Sequence, residues 1–102
     1  MAISQATLGT GATTIFTSSG SNATTAMFFM NDNVSARTLN VHVVQSGGTA
    51  GTTNKIIKKV NIDGGDTYVI NTEKLVLGNG DTIQASASAG SSIYATVSHV
   101  SI

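Results

Sequence analysis

The run Leu75-Val-Leu-Gly-Asn-Gly-Asp-Thr-Ile-Gln-Ala-Ser-Ala87 sets the terms for the whole chain. Apolar residues recur at every second position on either side of a glycine-rich turn, which is the period of a strand with one buried face. A two-residue Asn79-Gly80 turn would place Leu77 opposite Thr82 and Leu75 opposite Gln84, mixing leucines with polar side chains on one face. A three-residue loop, Gly78 to Gly80, instead pairs Leu75 with Ile83. It gathers Leu75, Leu77, Ile83, Ala85 and Ala87 on one face, with Gly80 in the last, left-handed position that such loops favour. The second register is the expected one. Its rival is a crossover in which the two strands join different sheets.

The rest of the chain repeats this grammar. There is no proline, 27 of the 102 residues are Ser or Thr, and no segment carries a 3.6-residue apolar period. β-Branched residues punctuated by glycine predict short strands. They are expected at 2–8, 12–17, 24–31, 37–45, 54–62, 66–71, on both sides of the Gly78–Gly80 loop, and at 92–102. Within them, Ile15 or Phe16 points inward. Leu39, Val41 and Val43 share a face opposite Asn40, His42 and Val44. Val60, Ile62, Tyr68 and Ile70 fit the core. Ile93, Ala95 and Val97 share a face, but Val100 and Ile102 fall on the opposite phase. That predicts a bulge near Ser98–His99 or a second buried face. Eight or nine strands at roughly ten-residue spacing imply one all-β domain over 1–102. The expected architecture is an antiparallel β-sandwich or small barrel, jelly-roll or immunoglobulin-like.

Charge narrows the partners. Charged residues make up 10% of the chain, against about 25% in an average soluble domain. Arg37, Lys55, Lys58, Lys59 and Lys74 balance Asp32, Asp63, Asp66, Glu73 and Asp81, so the net charge is zero. Such a surface is poorly protected against association, and we expect partners to cover it. Nucleic acid is not expected among them, because Lys55, Lys58 and Lys59 form the one basic cluster and acidic turns follow it. With no cysteine there is neither a disulfide framework nor a thiolate zinc site. The first residues lack a secretion signal and no run approaches the ~20 apolar residues of a membrane helix, so a cytosolic product without a membrane partner is expected. Asn22-Ala-Thr24 and Asn33-Val-Ser35 then match the glycosylation pattern by chance.

Candidate chemistry is sparse. His42 and His99 are far apart and each stands alone, without partners at metal-ligand or acid–base spacing. Asp63-Gly-Gly-Asp66 and Asn79-Gly-Asp81 put oxygen atoms in tight turns, but neither completes a calcium loop, and turn chemistry accounts for them. Gly47-Gly-Thr-Ala-Gly-Thr52 lacks the lysine of a nucleotide loop. No catalytic residue, metal site or cofactor is expected. Sugar binding would want exposed aromatic platforms; there is no Trp, and Tyr68 and Tyr94 both read as core or near-core residues. The most informative apolar feature is Met27, Phe28, Phe29 and Met30. In a strand, Phe28 and Met30 face one way and Met27 and Phe29 the other, so both faces call for burial. Either this is a central strand beneath a loop, or these four residues form a subunit interface.

Three runs resemble small structural proteins of tailed bacteriophages, notably those infecting cyanobacteria and other aquatic bacteria. They are Val41 to Asn54 (Val-His-Val-Val-Gln-Ser-Gly-Gly-Thr-Ala-Gly-Thr-Thr-Asn), Ile62 to Ile70 (Ile-Asp-Gly-Gly-Asp-Thr-Tyr-Val-Ile) and Glu73 to Ile83. Thr13 to Ser19 and Ala95 to Ser98 are similar too. These are strand-and-turn motifs, which specify fold better than role. The resemblance implies a non-enzymatic virion component assembled in the host cytoplasm: a capsid cement (decoration) protein bound to the major capsid protein, or a neck, tail or fibre component. It implies no catalytic residues. Cement proteins of this kind commonly form homotrimers at capsid symmetry axes, which would suit an interface through Met27–Met30.

Overall fold

In the computed structural model the alternating pattern becomes, among the described residues, nine strands: β1 (Ala2–Thr7), β2 (Thr13–Thr17), β3 (Asn22–Asn31), β4 (Arg37–Val44), β5 (Lys55–Ile62), β6 (Thr67–Ile70), β7 (Val76–Leu77), β8 (Thr82–Ala87) and β9 (Ile93–Ser101). A short 3-10 turn, Thr52–Asn54, precedes β5. The structure describes residues 2–72 and 74–102; Met1 and Glu73 lie outside them.

The topology is that of one long hairpin. Its apex is the loop between β4 and β5, and its legs pair β4 with β5, β3 with β6, β2 with β8 and β1 with β9, all antiparallel. The ribbon then wraps on itself, setting β3 against β9 and β4 against β8. Two sheets result: a front sheet ordered β1-β9-β3-β6, with β7 also paired to β3, and a back sheet ordered β2-β8-β4-β5. If the two-residue β7 is left uncounted, β8 and β9 become the seventh and eighth strands. The orders are then 1-8-3-6 and 2-7-4-5, the winding of a jelly roll. Two-sheet packing is required because each sheet carries one apolar face that a single layer could not bury.

That apolar filling is the expected one. Met27, Phe29, Ile93, Ala95 and Val97 from the front sheet meet Leu39, Val41, Ile83, Ala85 and Ala87 from the back sheet, all nearly inaccessible to solvent. Tyr68, Ile70, Val43, Ile57 and Val60 pack around them. Ile15 and Phe16 are both buried, because the register of β2 against β8 shifts between Thr14 and Phe16 and turns two consecutive side chains inward.

Polar pins close both ends of the sandwich. At one end the fully buried Asn31 donates through Nδ2 to the carbonyls of Ile62 (2.9 Å) and Ser35 (3.0 Å), while its Oδ1 accepts from the Asn33 amide (2.9 Å). It thereby joins β3 to the end of β5 in the opposite sheet. At the other end Asn22 Nδ2 donates to Ser18 Oγ (2.9 Å), which in turn donates to the Gly20 carbonyl (2.8 Å). Satisfying these groups removes a desolvation cost of about 1–3 kcal/mol each.

Three expectations change. First, Leu75–Ala87 is not a hairpin. β7 pairs with β3 (Leu77 opposite Asn22, Val76 opposite Ala23), whereas β8 pairs with β2 and β4, so the crossover is realised and Leu75 does not pair with Ile83. The shared core face survives, since Leu77, Ile83, Ala85 and Ala87 are all buried and Leu75 packs against them. The corner itself is a four-residue turn. The Asp81 amide donates to the Gly78 carbonyl (3.2 Å) with Gly80 at φ +86°. Second, the bulge expected near Ser98–His99 lies on the partner strand. β1 pairs with β9 without interruption from Ala2–His99 to Thr7–Tyr94, while β3 slips between Thr24 and Ala26 against His99 and Ser98. β9 keeps its alternation, so Val100 falls on the outer face and Ile102 is exposed beyond the strand. Third, Tyr94 is not a core residue. The parity that turns Ile93 and Ala95 inward turns Tyr94 out, and it is 37% exposed.

Candidate protein-docking face

β3 is the middle of the site. Its alternation sends Met27 and Phe29 into the core at 1% and 0% exposure, and sends Phe28 and Met30 outward at 40% and 36%. Of the four residues expected at an interface, Met27 and Phe29 are therefore interior: the side chains are consumed by the sandwich itself. Phe28 and Met30 remain available on the surface.

The registers place neighbours around them. Met30 stands between Tyr94 of β9 and Thr67 of β6, with Thr7 of β1 beyond Tyr94. The next outward row is Gln5, Thr96, Phe28 and Val69, and the row after that is Ile3, Ser98 and Ala26. Adjacent strands lie about 4.8 Å apart, so Tyr94, Met30, Phe28 and Val69 touch the same patch of solvent. Ile3, 62% exposed, extends it at the β1 edge. None of the eleven side chains in these three rows is charged. The polar ones are short or partnered with each other: Gln5 Nε2 donates to Thr96 Oγ1 (3.3 Å), and Thr25 Oγ1 to Ser98 Oγ (2.7 Å). The bulge in β3 turns Thr25 outward beside Ala26, which makes that second bond possible.

The outer face of the back sheet is built otherwise. Its rows carry Thr14, Gln84, His42 and Lys55, then Thr17, Thr82 and Val44. The loop after β4 folds over this face. His42 Nδ1 lies 3.0 Å from Asn54 Oδ1 and 3.1 Å from the Gly51 carbonyl, so the ring nitrogen carries the proton and donates. Asn54 also donates to the Thr49 carbonyl and accepts from the Gly51 amide, closing the loop on itself. Val44, outward by parity, is 1% exposed because this loop covers it.

The remaining sequence candidates are dispersed. His42 lies on the outside of the back sheet, whereas His99 faces inward from the front sheet, its ring 4.2 Å from that of Phe16 and its Nε2 3.3 Å from Ser4 Oγ. Asp63 and Asp66 sit at the Asn31 end and Asp81 at the Ser18 end. Both Asp81 carboxylate oxygens accept backbone amides, from Ser46 and Gly78 at 2.9 Å each. Among the described residues no three His, Cys, Asp or Glu side chains come together. Tyr94, Val69 and Ile3 join this surface although the sequence analysis does not single them out for it. For Tyr94 the signal was present in the parity of its own strand.

Compared with family models, curated proteins and solved structures, the chain matches none.

Proposed function

We propose that this protein is a non-enzymatic structural component of a phage virion, a capsid cement protein that seats the outer face of its front sheet on the head shell. The observation carrying the proposal is the uncharged, partly apolar surface of Tyr94, Met30, Phe28, Val69 and Ile3 on one face of the front sheet. Exposed apolar side chains grouped together and rimmed by polar residues mark contact surfaces in soluble proteins. Support comes also from the low charge of the chain, which suits a molecule packed among neighbours, and from the resemblance to tailed-phage structural proteins. The major capsid protein is the partner, no cofactor takes part, and the working location is the particle. Jelly-roll winding agrees with a virion role but hosts other roles too.

Mass spectrometry of purified particles, together with attachment assays on heads lacking the protein, tests this. Hundreds of copies per particle, and loss of attachment for Phe28→Asp with an unchanged melting temperature, are the expected results. A dozen copies or fewer would move the protein to the neck, tail or fibre. Absence from particles would end the proposal. One observation favours a second role: Tyr94 is exposed beside Thr96 and Gln5, as a sugar platform would be. Glycan-array binding that Tyr94→Ala abolishes would select it.

A further inference from the structure

The four sheet edges are not equally guarded. An edge strand offers unpaired backbone groups to any passing strand, and proteins blunt it with charge, bulges, proline or brevity. β5 carries Lys55, Lys58 and Lys59, its register slips twice against β4, and Lys59 adopts a left-handed φ of +53°. β2 has five residues and a register shift in its middle. β6 has four, and beside it Lys74 Nζ donates to the carbonyls of Asn71 and Thr25. β1, Ala2–Thr7, has none of these devices. It is regular along its whole pairing with β9 and contains no charge, glycine or proline.

The orientation of its backbone is fixed. The Leu8 amide donates to the Ile93 carbonyl (3.0 Å) and the Leu8 carbonyl accepts from Ser91 (3.0 Å). Alternate residues along a strand point their N–H and C=O groups the same way, so Ala6, Ser4 and Ala2 also serve β9. Ile3, Gln5 and Thr7 therefore aim theirs at the open edge, and their side chains stand on the uncharged outer face.

We infer that β1 is a self-association edge: two copies join β1 to β1 antiparallel about a two-fold axis passing beside Gln5. Gln5 then pairs with Gln5 of the second copy and Ile3 with Thr7, matching each free N–H with a free C=O. The second copy fits because the row Ile3, Gln5, Thr7 is charge-free and reads compatibly against its own reverse; no like charges meet. Antiparallel strands in one sheet keep their faces aligned, so the two outer faces lie on one side and double the surface described above. The pair differs from the trimer that the family resemblance implies. An edge contact of six residues falls short of a standard interface of about 1,600 Å2, so the pair dissociates on dilution through roughly the micromolar to millimolar range.

Sedimentation of the intact chain across that range, with amide exchange read at both ends of it, tests the inference. The mass should rise from one copy to two, and the Ile3, Gln5 and Thr7 amides should gain protection with it. Gln5→Lys, which sets like charges opposite each other, should weaken association at least about tenfold. Gln5→Pro, which deletes a donor that β9 does not use, should do the same. Phe28→Asp should leave association unchanged, so failure here is separable from failure of the head-binding role. Thermal melts confirm folding, and if Gln5→Pro does not fold, Gln5→Lys decides. A one-copy mass throughout, a three-copy mass, or association abolished by Phe28→Asp but indifferent to Gln5→Lys overturns it.

Discussion

Phe28, Met30, Val69 and Tyr94 look out from the front sheet into solvent with no charged group in their rows, whereas the back sheet presents Gln84, His42, Lys55 and threonines, leaves Ile56 of its lysine-flanked edge strand exposed, and folds a loop over its one outward valine. Both sheets fill the inner face by alternation, interrupted by register shifts in β2 and β5 on the back sheet and in β3 on the front. They differ only in what alternation leaves outside. On the back sheet Val44 is covered by the chain's own loop, held by Asn54 and His42. On the front sheet the equivalent task is left undone. An apolar side chain that the chain could have covered, and covers elsewhere, is a better pointer to an external partner than exposure alone.

The contrast can be broken first along β3 itself. Phe29→Ala should cost about 3–5 kcal/mol, as large-to-small changes in a packed core do, while Phe28→Ala should cost less than about 1 kcal/mol in the isolated protein. Denaturant titration of both reads the difference, and equal costs would mean that the two faces of β3 are misassigned. Next, Asn31→Leu should cost roughly 2–3 kcal/mol by leaving the Ile62 and Ser35 carbonyls and the Asn33 amide without partners, seen as a fall in melting temperature. On the covered face, His42→Ala should cost about 1–2 kcal/mol and speed amide exchange at Gly51, whose amide depends on the Asn54 lock. Slow exchange there would show that the loop holds without His42. The smallest effect sharpens the comparison most. Thr96→Lys and Gln84→Lys place one charge on each outer face and should both change stability by no more than about 0.5 kcal/mol. Only Thr96→Lys should raise solubility in sulfate salts, since it alone interrupts an uncharged face.

What was legible follows from the range over which it is decided. Strand positions and most inward residues are written in period-two alternation, a local signal, and Leu39, Val41, Ile93, Ala95 and Val97 lie where alternation puts them. The Met27–Met30 run showed correctly which side chains oppose which. It could not show which pair is inside, because both pairs are equally apolar; the rest of the fold decides that. The turn at Gly78–Asp81 illustrates the same limit. Gly80 meets the local demand for a positive φ whether the flanking strands stay together or part. Contacts far off in sequence part them. Ser18 exchanges backbone hydrogen bonds with Gly80 and Asp81, and Asp81 holds the Ser46 amide. The bulge at Lys58–Lys59, which lets Ile57 and Val60 both face the core three positions apart, has no glycine or proline to announce it.

The long-hairpin topology also fixes an order of events. Pairs near the apex, β4 with β5, close a short loop. The last pair, β1 with β9, joins residues such as Ser4 and His99 that are 95 positions apart. Loop-closure entropy makes the first cheap and the last slow, and chains dominated by such distant pairings fold in milliseconds to seconds. Zippering from the apex outward predicts that substitutions in the β4–β5 ribbon retard folding, while those in β1 mainly hasten unfolding. It also leaves β9 waiting, for much of the folding time, without the strand that completes its edge.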